Sequence, residues 1–466
     1  MRPGYTRSAV LQPLRTLGTQ LHAAAPDHAA ILKGMLTVAA FVFVGKLVSA
    51  MKEMAVAYRY GLGAEVDAYQ FLYTVIGWPL GVWSSVLTAV LVPLAVRLRK
   101  QQAQLEKFRA ELLGLVIVAG FALAGLVWLV LHTVFQLGQS GLPPRLAGLA
   151  GAALPGLVLM LPLGVLTALQ SAWMLAAERH VNTLLECIPP LSIATLVMAL
   201  PGGGMRALVW GTVAGSALHL LALMAPLGRH AREGTPRLAR SSPQWSWFWQ
   251  GFGIMVGGQA LMSLTVVIDQ FYAAGLGTGA IAMLGYANRI LSLILGLAAI
   301  AVSRATLPIF AQGAAHLRAV AHLWAGILFA LGLLAMLAGY AAAPWMVQVL
   351  YERGQFGAAD TVAVAEVLRY GLPQMPFYFS SMVLVSYALS QRRYKLVFFS
   401  ALIGCAAKIA GNVLLVPALG VNGIALGTTL VYASTGLFFW YTLIVRGARD
   451  EGLAGLRGRA AGKPRT

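Results

Sequence analysis

Long apolar stretches separated by short polar breaks follow one another along the chain. Twelve of them are long enough to cross a bilayer, since a helix spans the hydrocarbon core with about 20 apolar residues. They cover residues 31–58, 68–95, 110–135, 147–175, 184–201, 206–228, 246–273, 280–310, 322–349, 363–390, 394–416 and 421–446. Apolar residues do not alternate with polar ones here, as they would in a membrane β-barrel. The pattern predicts an all-α polytopic membrane protein with about twelve transmembrane helices.

A polar, basic segment in the middle of the chain divides these helices into six and six. We predict a cytoplasmic tail at 1–30, a first lobe at 31–228, a linker at 229–245, a second lobe at 246–447 and a tail at 448–466. The halves resemble each other weakly, because both contain Gly-Leu-Gly (61–63 and 275–277) about thirty residues before a proline. Two six-helix lobes that begin on the same side predict a pseudo-two-fold axis along the membrane normal and a central cavity.

Composition supports the membrane assignment. Of the 466 residues, 59% are hydrophobic and only 11% are charged, whereas soluble domains have about 25% charged residues. The net charge is +19, and 23 Lys and Arg residues fall in loops and tails on one predicted side against four on the other. The positive-inside rule therefore places both termini in the cytoplasm. The basic charge indicates orientation and contact with anionic lipids, and it does not favour nucleic acid as a partner.

Ionised side chains interrupt the first and eighth predicted helices. Each costs about 2.5–3.5 kcal/mol at the membrane centre on insertion scales, so such residues usually have a function. Lys46, Lys52 and Glu53 lie in the first helix and Arg289 in the eighth. Lys52 and Arg289 come from opposite lobes and reach similar depths, roughly 9 and 13 Å from the outer helix ends. Internal pairing with Glu53 or snorkelling is one explanation, but the surplus of bases favours a cavity that accepts an anion.

A second charged group is predicted within the second lobe. Lys408 and Asn412 are four residues apart and share one helix face, and Asp269 lies near the outer end of the seventh predicted helix. We expect Asp269 and Lys408 to pair. The alternatives are a Lys408 that lines the cavity by itself and unrelated, solvated charges.

Nothing in the sequence favours an enzyme, a cofactor or a metal site. Cys187 and Cys405 lie in apolar helices without metal-ligand spacing, which is typical of small buried side chains. No helix carries an activated serine, cysteine or histidine constellation. We therefore expect a transporter without a cofactor.

Residues 44–71 read VGKLVSAMKEMAVAYRYGLGAEVDAYQF, with lysines at positions 46 and 52. They resemble the first-helix motif S-R-x-L-G-x-x-R-D…G-x-G…D-A-F of the MurJ/MviN family of the MOP exporter superfamily, which has arginines at those two positions. Residues 286–310, beginning YANRI, are similar to its Y-A-D-R-L segment, and 349–361 and 387–428 resemble the regions that follow. The resemblance covers about residues 31 to 445.

This resemblance implies an alternating-access flippase that moves an undecaprenyl-pyrophosphate-linked glycan, such as lipid II, to the outer leaflet of the bacterial cytoplasmic membrane. Pyrophosphate binding transfers to Lys52 and Arg289, with Lys46 and Glu53 as neighbours. Some family members bind a cation between helices 7, 11 and 12, and here the Lys408 ammonium would take its place. The residues implied in gating or coupling are Asp67, Asp269, Lys408, Asn412 and Thr428.

Other functions stay open at the level of sequence. The family's second helix commonly carries paired arginines, but residues 79–94, PLGVWSSVLTAVLVPL, contain no basic residue. Family members usually have fourteen spans, and twelve are predicted here. A flippase for an exopolysaccharide or O-antigen repeat unit is the main alternative, and a MATE-like drug antiporter is a more distant one. A scaffold that binds glycan-synthesis enzymes without transporting anything is the alternative outside the transporters.

Overall fold

The structure is a computed structural model that describes residues 40–98, 101–138, 140–177, 179, 181–227, 235–311, 317–391 and 393–445. The side chains at 225–227, 254, 297–298, 300–311 and 394 are outside that description. The predicted tails at 1–30 and 448–466, the first nine residues of the first predicted helix and linker residues 229–234 therefore lie outside the described residues.

The described residues form α-helices joined by short turns, and they contain no β-strand. The first helix, α1, covers residues 40–60. The others are α2 (Ala64–Arg97), α3 (Gln102–Gln136), α4 (Pro144–Leu157), α5 (Met160–Ala176), α6 (Val181–Leu185), α7 (Ile188–Ala199), α8 (Met205–Leu227), α9 (Gln244–Ala274), α10 (Ala280–Ala311), α11 (Leu317–Tyr351), α12 (Ala358–Gly371), α13 (Gln374–Ser390), α14 (Tyr394–Leu419) and α15 (Val421–Phe439). A π-helical turn, Trp440–Val445, follows α15.

Within the described residues, eight helices are long and apolar enough to cross a membrane, and the bent pair α4–α5 makes a ninth candidate. Nine of the twelve predicted stretches are unbroken helix in the parts that the structure describes, the last ending in the π-helical turn, and the other three contain a short break. An all-α polytopic membrane protein is therefore confirmed.

Three predicted helices are not continuous, and each breaks four residues before a proline. The stretch 147–175 divides at Val158, before Pro162, with a 48° bend. The stretch 184–201 starts earlier, at Val181, and divides at 186–187, before Pro190. The stretch 363–390 starts at Ala358 and divides at 372–373, before Pro376. A proline ring clashes with the carbonyl four residues earlier and lacks an N–H, which explains the three positions.

Buried side chains form one core at one end of the bundle and two separate cores at the other. Near the α1–α2, α9–α10 and α11–α12 turns, a continuous core joins helices of both halves. At the opposite end, one core combines α2, α3 and α5 with the start of α9, through Trp245 and Phe248. A distinct core there contains α11, α13 and α15. Helices of both halves thus share one core at the turn end, whereas at the other end only the start of α9 packs with the first half and α11, α13 and α15 form a core of their own.

Candidate functional site: a charged cavity between the two halves

A cavity of about 800 Å³ lies between the two halves of the bundle. Its walls come from α1 and α2 on one side and from α9, α10, α13, α14 and α15 on the other. Five of its lining residues are charged: Lys52, Glu53, Asp269, Arg289 and Lys408. All five were singled out from the sequence, and the fold brings them to one space.

Glu53 links the two halves because both predicted anion-binding cations contact it. Lys52 Nζ lies 2.6 Å and Arg289 Nε 2.8 Å from the same oxygen, Glu53 Oε1. Glu53 shares a helix face with Val56 and Ala57, three and four residues on, so the packing of α1 buries its side chain. Only 6% of the Glu53 side chain is exposed, against 49% for Arg289. Two cations and one carboxylate leave the group one positive charge in excess, on a wall that can receive an anion.

Lys46 stands apart from this group. It lines a neighbouring chamber of about 340 Å³, which shares Lys52, Glu53 and Arg289 with the main cavity. In that chamber Lys46 is exposed and lies near Glu186 of the α6–α7 turn. Its place beside the pyrophosphate-binding residues therefore stays a prediction.

Asp269 and Lys408 form a buried ion pair. Lys408 Nζ lies 2.8 Å from Asp269 Oδ1 and donates to Thr428 Oγ1 at 2.7 Å and to the Ile424 carbonyl at 3.0 Å. Asn412 Nδ2 donates to the same Asp269 oxygen at 3.0 Å. The expected pairing is present, so Lys408 does not line the cavity by itself, although both residues of the pair border the cavity. Three acceptors satisfy the three ammonium hydrogens, as a buried cation requires.

Asp67 joins the two halves at the turn end of the bundle. Its carboxylate, buried at the start of α2, accepts hydrogen bonds from the Gly279 and Ala282 backbone N–H groups at the start of α10. An anion is favourable there because the first N–H groups of a helix have no partner within the helix. Asp67 thus caps a helix of the opposite half.

Further backbone contacts surround Asp67. Gln355 N donates to the Tyr58 carbonyl at 2.9 Å, and the Tyr286 hydroxyl donates to the Gly61 carbonyl at 3.3 Å. Gly354 has a φ of +63° and packs against Tyr58, where a side chain would collide. We call residues 58–63, 275–279 and 353–355 the loop cluster. Its hydrogen bonds hold the two halves together at this end of the bundle.

Sequence reasoning missed one buried carboxylate, Glu111 on α3. It accepts hydrogen bonds from Ser241 Oγ at 2.7 Å, Ser242 N at 3.1 Å and Trp245 Nε1 at 2.7 Å. The segment that leads from the first half into α9 is thereby fixed to α3. The signal was available: a glutamate in an apolar run, together with the pattern Ser-Ser-Pro-Gln-Trp at 241–245, which offers several hydrogen-bond donors.

Comparison with known proteins assigns the family. The family model described as "Lipid II flippase MurJ" matches residues 33–454. The chain belongs to the MurJ family. A probable lipid II flippase MurJ from Helicobacter pylori strain J99 is 30% identical over 218 residues. That match covers 45% of this chain and 45% of the relative, so it spans less than half of the curated protein's length.

Solved structures share the fold of this MurJ-family chain. A structure titled "Lipid II flippase MurJ, inward closed conformation" superposes with a TM-score of 0.76 at 18% identity, covering 87% of both chains. An inward-facing multidrug resistance MATE transporter of the MOP superfamily gives 0.66 at 15% identity, covering 85% of this chain and 93% of that one. The fold is thus shared by a flippase and by a drug transporter, so the fold alone does not indicate the substrate. The charges in the cavity are more informative.

Proposed function

We propose that the protein is a flippase for a polyprenyl-diphosphate-linked glycan, with lipid II as the substrate that its family favours. The observation that carries this proposal is the sharing of Glu53 by Lys52 and Arg289 at the cavity wall. A diphosphate can replace Glu53 as the partner of either cation without leaving a buried charge unpaired. One of its two phosphate charges then neutralises the single positive charge that the group has in excess.

The two ends of the bundle support an alternating-access mechanism. Under the predicted orientation, the loop cluster faces outward and the two separate cores face the cytoplasm. The glycan headgroup then enters from the cytoplasmic side, while the prenyl chain stays in lipid. Release requires the Asp67 cap on α10 to open and the separate cores to close, since a cavity closed at one end by hydrogen bonds exposes its contents only when they break.

The Asp269–Lys408 pair is proposed to couple this movement to the second half. It lies in the same cavity as the diphosphate-binding group and connects α9 to α14 and α15. A buried ion pair tolerates little separation, so any movement of α9 must carry α14 with it or break the pair. Lys408 supplies the positive charge there without a bound metal cation.

The charge of the cavity also discriminates among the alternatives. A cationic drug would meet Lys52 and Arg289, whose excess charge repels it, so a MATE-like antiporter is disfavoured. An exopolysaccharide or O-antigen repeat unit carried on a polyprenyl diphosphate would meet the same cations. The diphosphate chemistry is common to both substrates, and the family match favours lipid II.

Complementation of a flippase-depleted bacterium tests the proposal. We expect Lys52→Ala and Arg289→Ala each to abolish growth while the protein accumulates normally in the membrane, because each removes half of the cation pair. Lys395→Ala and Arg206→Ala are matched controls, since both side chains are exposed and outside the cavity, and they should complement fully. Full growth with both cavity variants would refute the site, and a wild-type chain that supports only polysaccharide export would identify the alternative substrate.

A further inference from the structure

The neighbouring chamber has a composition that diphosphate binding does not explain. We call it the side chamber; it lies between α1, α7 and α8 on one side and α10 and α11 on the other. It meets the main cavity at Lys52, Glu53 and Arg289, the group proposed to bind the diphosphate. A group attached directly to the diphosphate can therefore extend into the side chamber.

One ring nitrogen of a buried histidine in the side chamber has no hydrogen-bond partner among the residues that the structure describes. His219 on α8 is only 7% exposed, and its Nε2 has no partner in the structure. Buried polar atoms are nearly always hydrogen-bonded, and those that are not often face a missing ligand or water. Nε2 accepts or donates one hydrogen bond according to the tautomer, so it suits a hydroxyl group, which can do either.

The remaining polar residues make the side chamber electrically balanced. Apart from the three charged residues that it shares with the main cavity, its charged side chains are Lys46 and Glu186, one of each sign, and Ser49 adds a hydroxyl. The side chamber therefore does not favour binding of a second anion, because it has no positive charge in excess. A neutral group with many hydroxyls, by contrast, could donate to Glu186 and accept from Lys46.

Flat apolar surfaces complete the side chamber. Tyr73 and Tyr351 line it, together with Pro189, Pro190 and Ile193. Rings and aliphatic side chains with a few convergent polar groups are the usual lining of a small-molecule site. A pyranose has this dual character, because its C–H faces are apolar and its hydroxyl rim is polar. The volume of about 340 Å³ lies at the lower end of the range for such sites, roughly 300–1,000 Å³.

We propose that the side chamber binds the sugar attached directly to the diphosphate, with hydrogen bonds to His219 and Glu186. This inference rests on the proposed function, since the diphosphate at Lys52 and Arg289 places the sugar at the entrance. It adds that the protein recognises the glycan and not only the lipid diphosphate. Residues of the first half, on α6–α7 and α8, then decide which sugar is accepted.

Equilibrium binding to the purified full chain in lipid nanodiscs tests the inference. The two probes are heptaprenyl diphosphate and heptaprenyl diphosphate carrying one N-acetylglucosamine. Wild type should bind the sugar-bearing probe about tenfold more tightly, which is the effect of one hydrogen bond to a charged partner. Glu186→Gln and His219→Ala should each reduce that ratio toward one, and they should weaken binding of the sugar-free probe by less than twofold.

Two further variants separate this inference from the proposed function. His132→Ala removes an exposed histidine of α3 that lies outside both cavities, and it should keep the tenfold ratio. Lys52→Ala should weaken both probes equally. A wild-type ratio of one, or a tenfold ratio retained in both Glu186→Gln and His219→Ala, would overturn the sugar site and leave the diphosphate site standing. Failure of wild type to bind either probe would overturn both.

Discussion

At the scale of single residues, the partners of the cavity charges matter as much as their identities. The positions of Lys52, Glu53 and Arg289 could be read from the sequence, because charges are rare in apolar helices. Pairing with Glu53 was one of the explanations that the sequence left open, and the structure shows it. That Glu53 takes both cations could not be predicted, since pairing depends on the rotation of α1 about its axis and on the depth of α10 beside it. The structure shows two cations on one carboxylate, whereas Asp269 and Lys408 pair one to one. The first group can exchange its anion; the second is already balanced.

The balanced pair gives a prediction about stability. Lys408→Met should destabilise the protein by about 3–5 kcal/mol, because it leaves the buried Asp269 carboxylate without its cation. Adding Asp269→Asn should recover most of that loss, since the uncompensated charge is then gone. Thermal unfolding of the purified variants measures this, with the exposed Lys46→Met as the control.

The same double variant also tests the coupling role of the pair. If the pair transmits movement between α9 and α14, Lys408→Met with Asp269→Asn should be stable and inactive in complementation. A double variant that is both stable and active would show that the pair serves stability alone.

At the scale of helices, the sequence predicted where the spans lie better than where they break. Pro162, Pro190 and Pro376 stand four residues after the three breaks. Pro79, Pro93 and Pro344, however, lie inside continuous helices, so a proline in the sequence does not by itself locate a break. Contacts between helices distant in sequence were less accessible. The hydrogen bonds between Glu111 and residues 241–245, which we call the Glu111 clamp, join positions about 130 residues apart in the sequence. No local sequence pattern predicts a contact between positions so far apart.

The Glu111 clamp predicts protease resistance of the segment before α9. Glu111→Ala removes the acceptor of three hydrogen bonds, so residues 235–243 should detach from α3 and trypsin should cleave at Arg237 and Arg240 several-fold faster. Mass spectrometry of the timed digest locates and quantifies the cuts. Glu106→Ala, an exposed glutamate on the same helix, should leave the rate unchanged. Equal cleavage of all three proteins would contradict the clamp.

The Asp67 cap predicts how the loop cluster opens. Asp67→Asn keeps the shape of the side chain but removes the charge that favours the start of α10, at a cost of about 1 kcal/mol. A cysteine at the buried Ala64, in a chain with Cys187 and Cys405 replaced by alanine, should react several-fold faster with a maleimide reagent. Asp360→Asn is the matched control, because Asp360 caps only its own helix, at Gly357 N. The same increase in labelling rate in Asp360→Asn would show that the opening of the loop cluster does not depend on Asp67.

At the scale of the whole molecule, hydropathy was sufficient for an all-helical membrane fold, and the structure agrees. The division into lobes at 229–245 stays a prediction, and α9 shows why it is hard to place. Its first turns pack with α2 and α3, whereas Asp269 near its other end pairs with α14. Because α9 contacts both halves, no position in its sequence marks where one half ends and the other begins. A central cavity was predicted from the sequence, but its volume and most of its lining were not, because they arise only where both halves meet.

The central claim is that Lys52 and Arg289 hold a diphosphate in the cavity between the two halves. The most direct measurement is a cryo-electron microscopy map of the protein with a bound polyprenyl-diphosphate-linked glycan. Phosphate oxygens should lie about 2.7–2.9 Å from Lys52 Nζ and from the Arg289 guanidinium, the distance of charge-assisted hydrogen bonds. A diphosphate found on another surface, with both cations still bound only to Glu53, would contradict it.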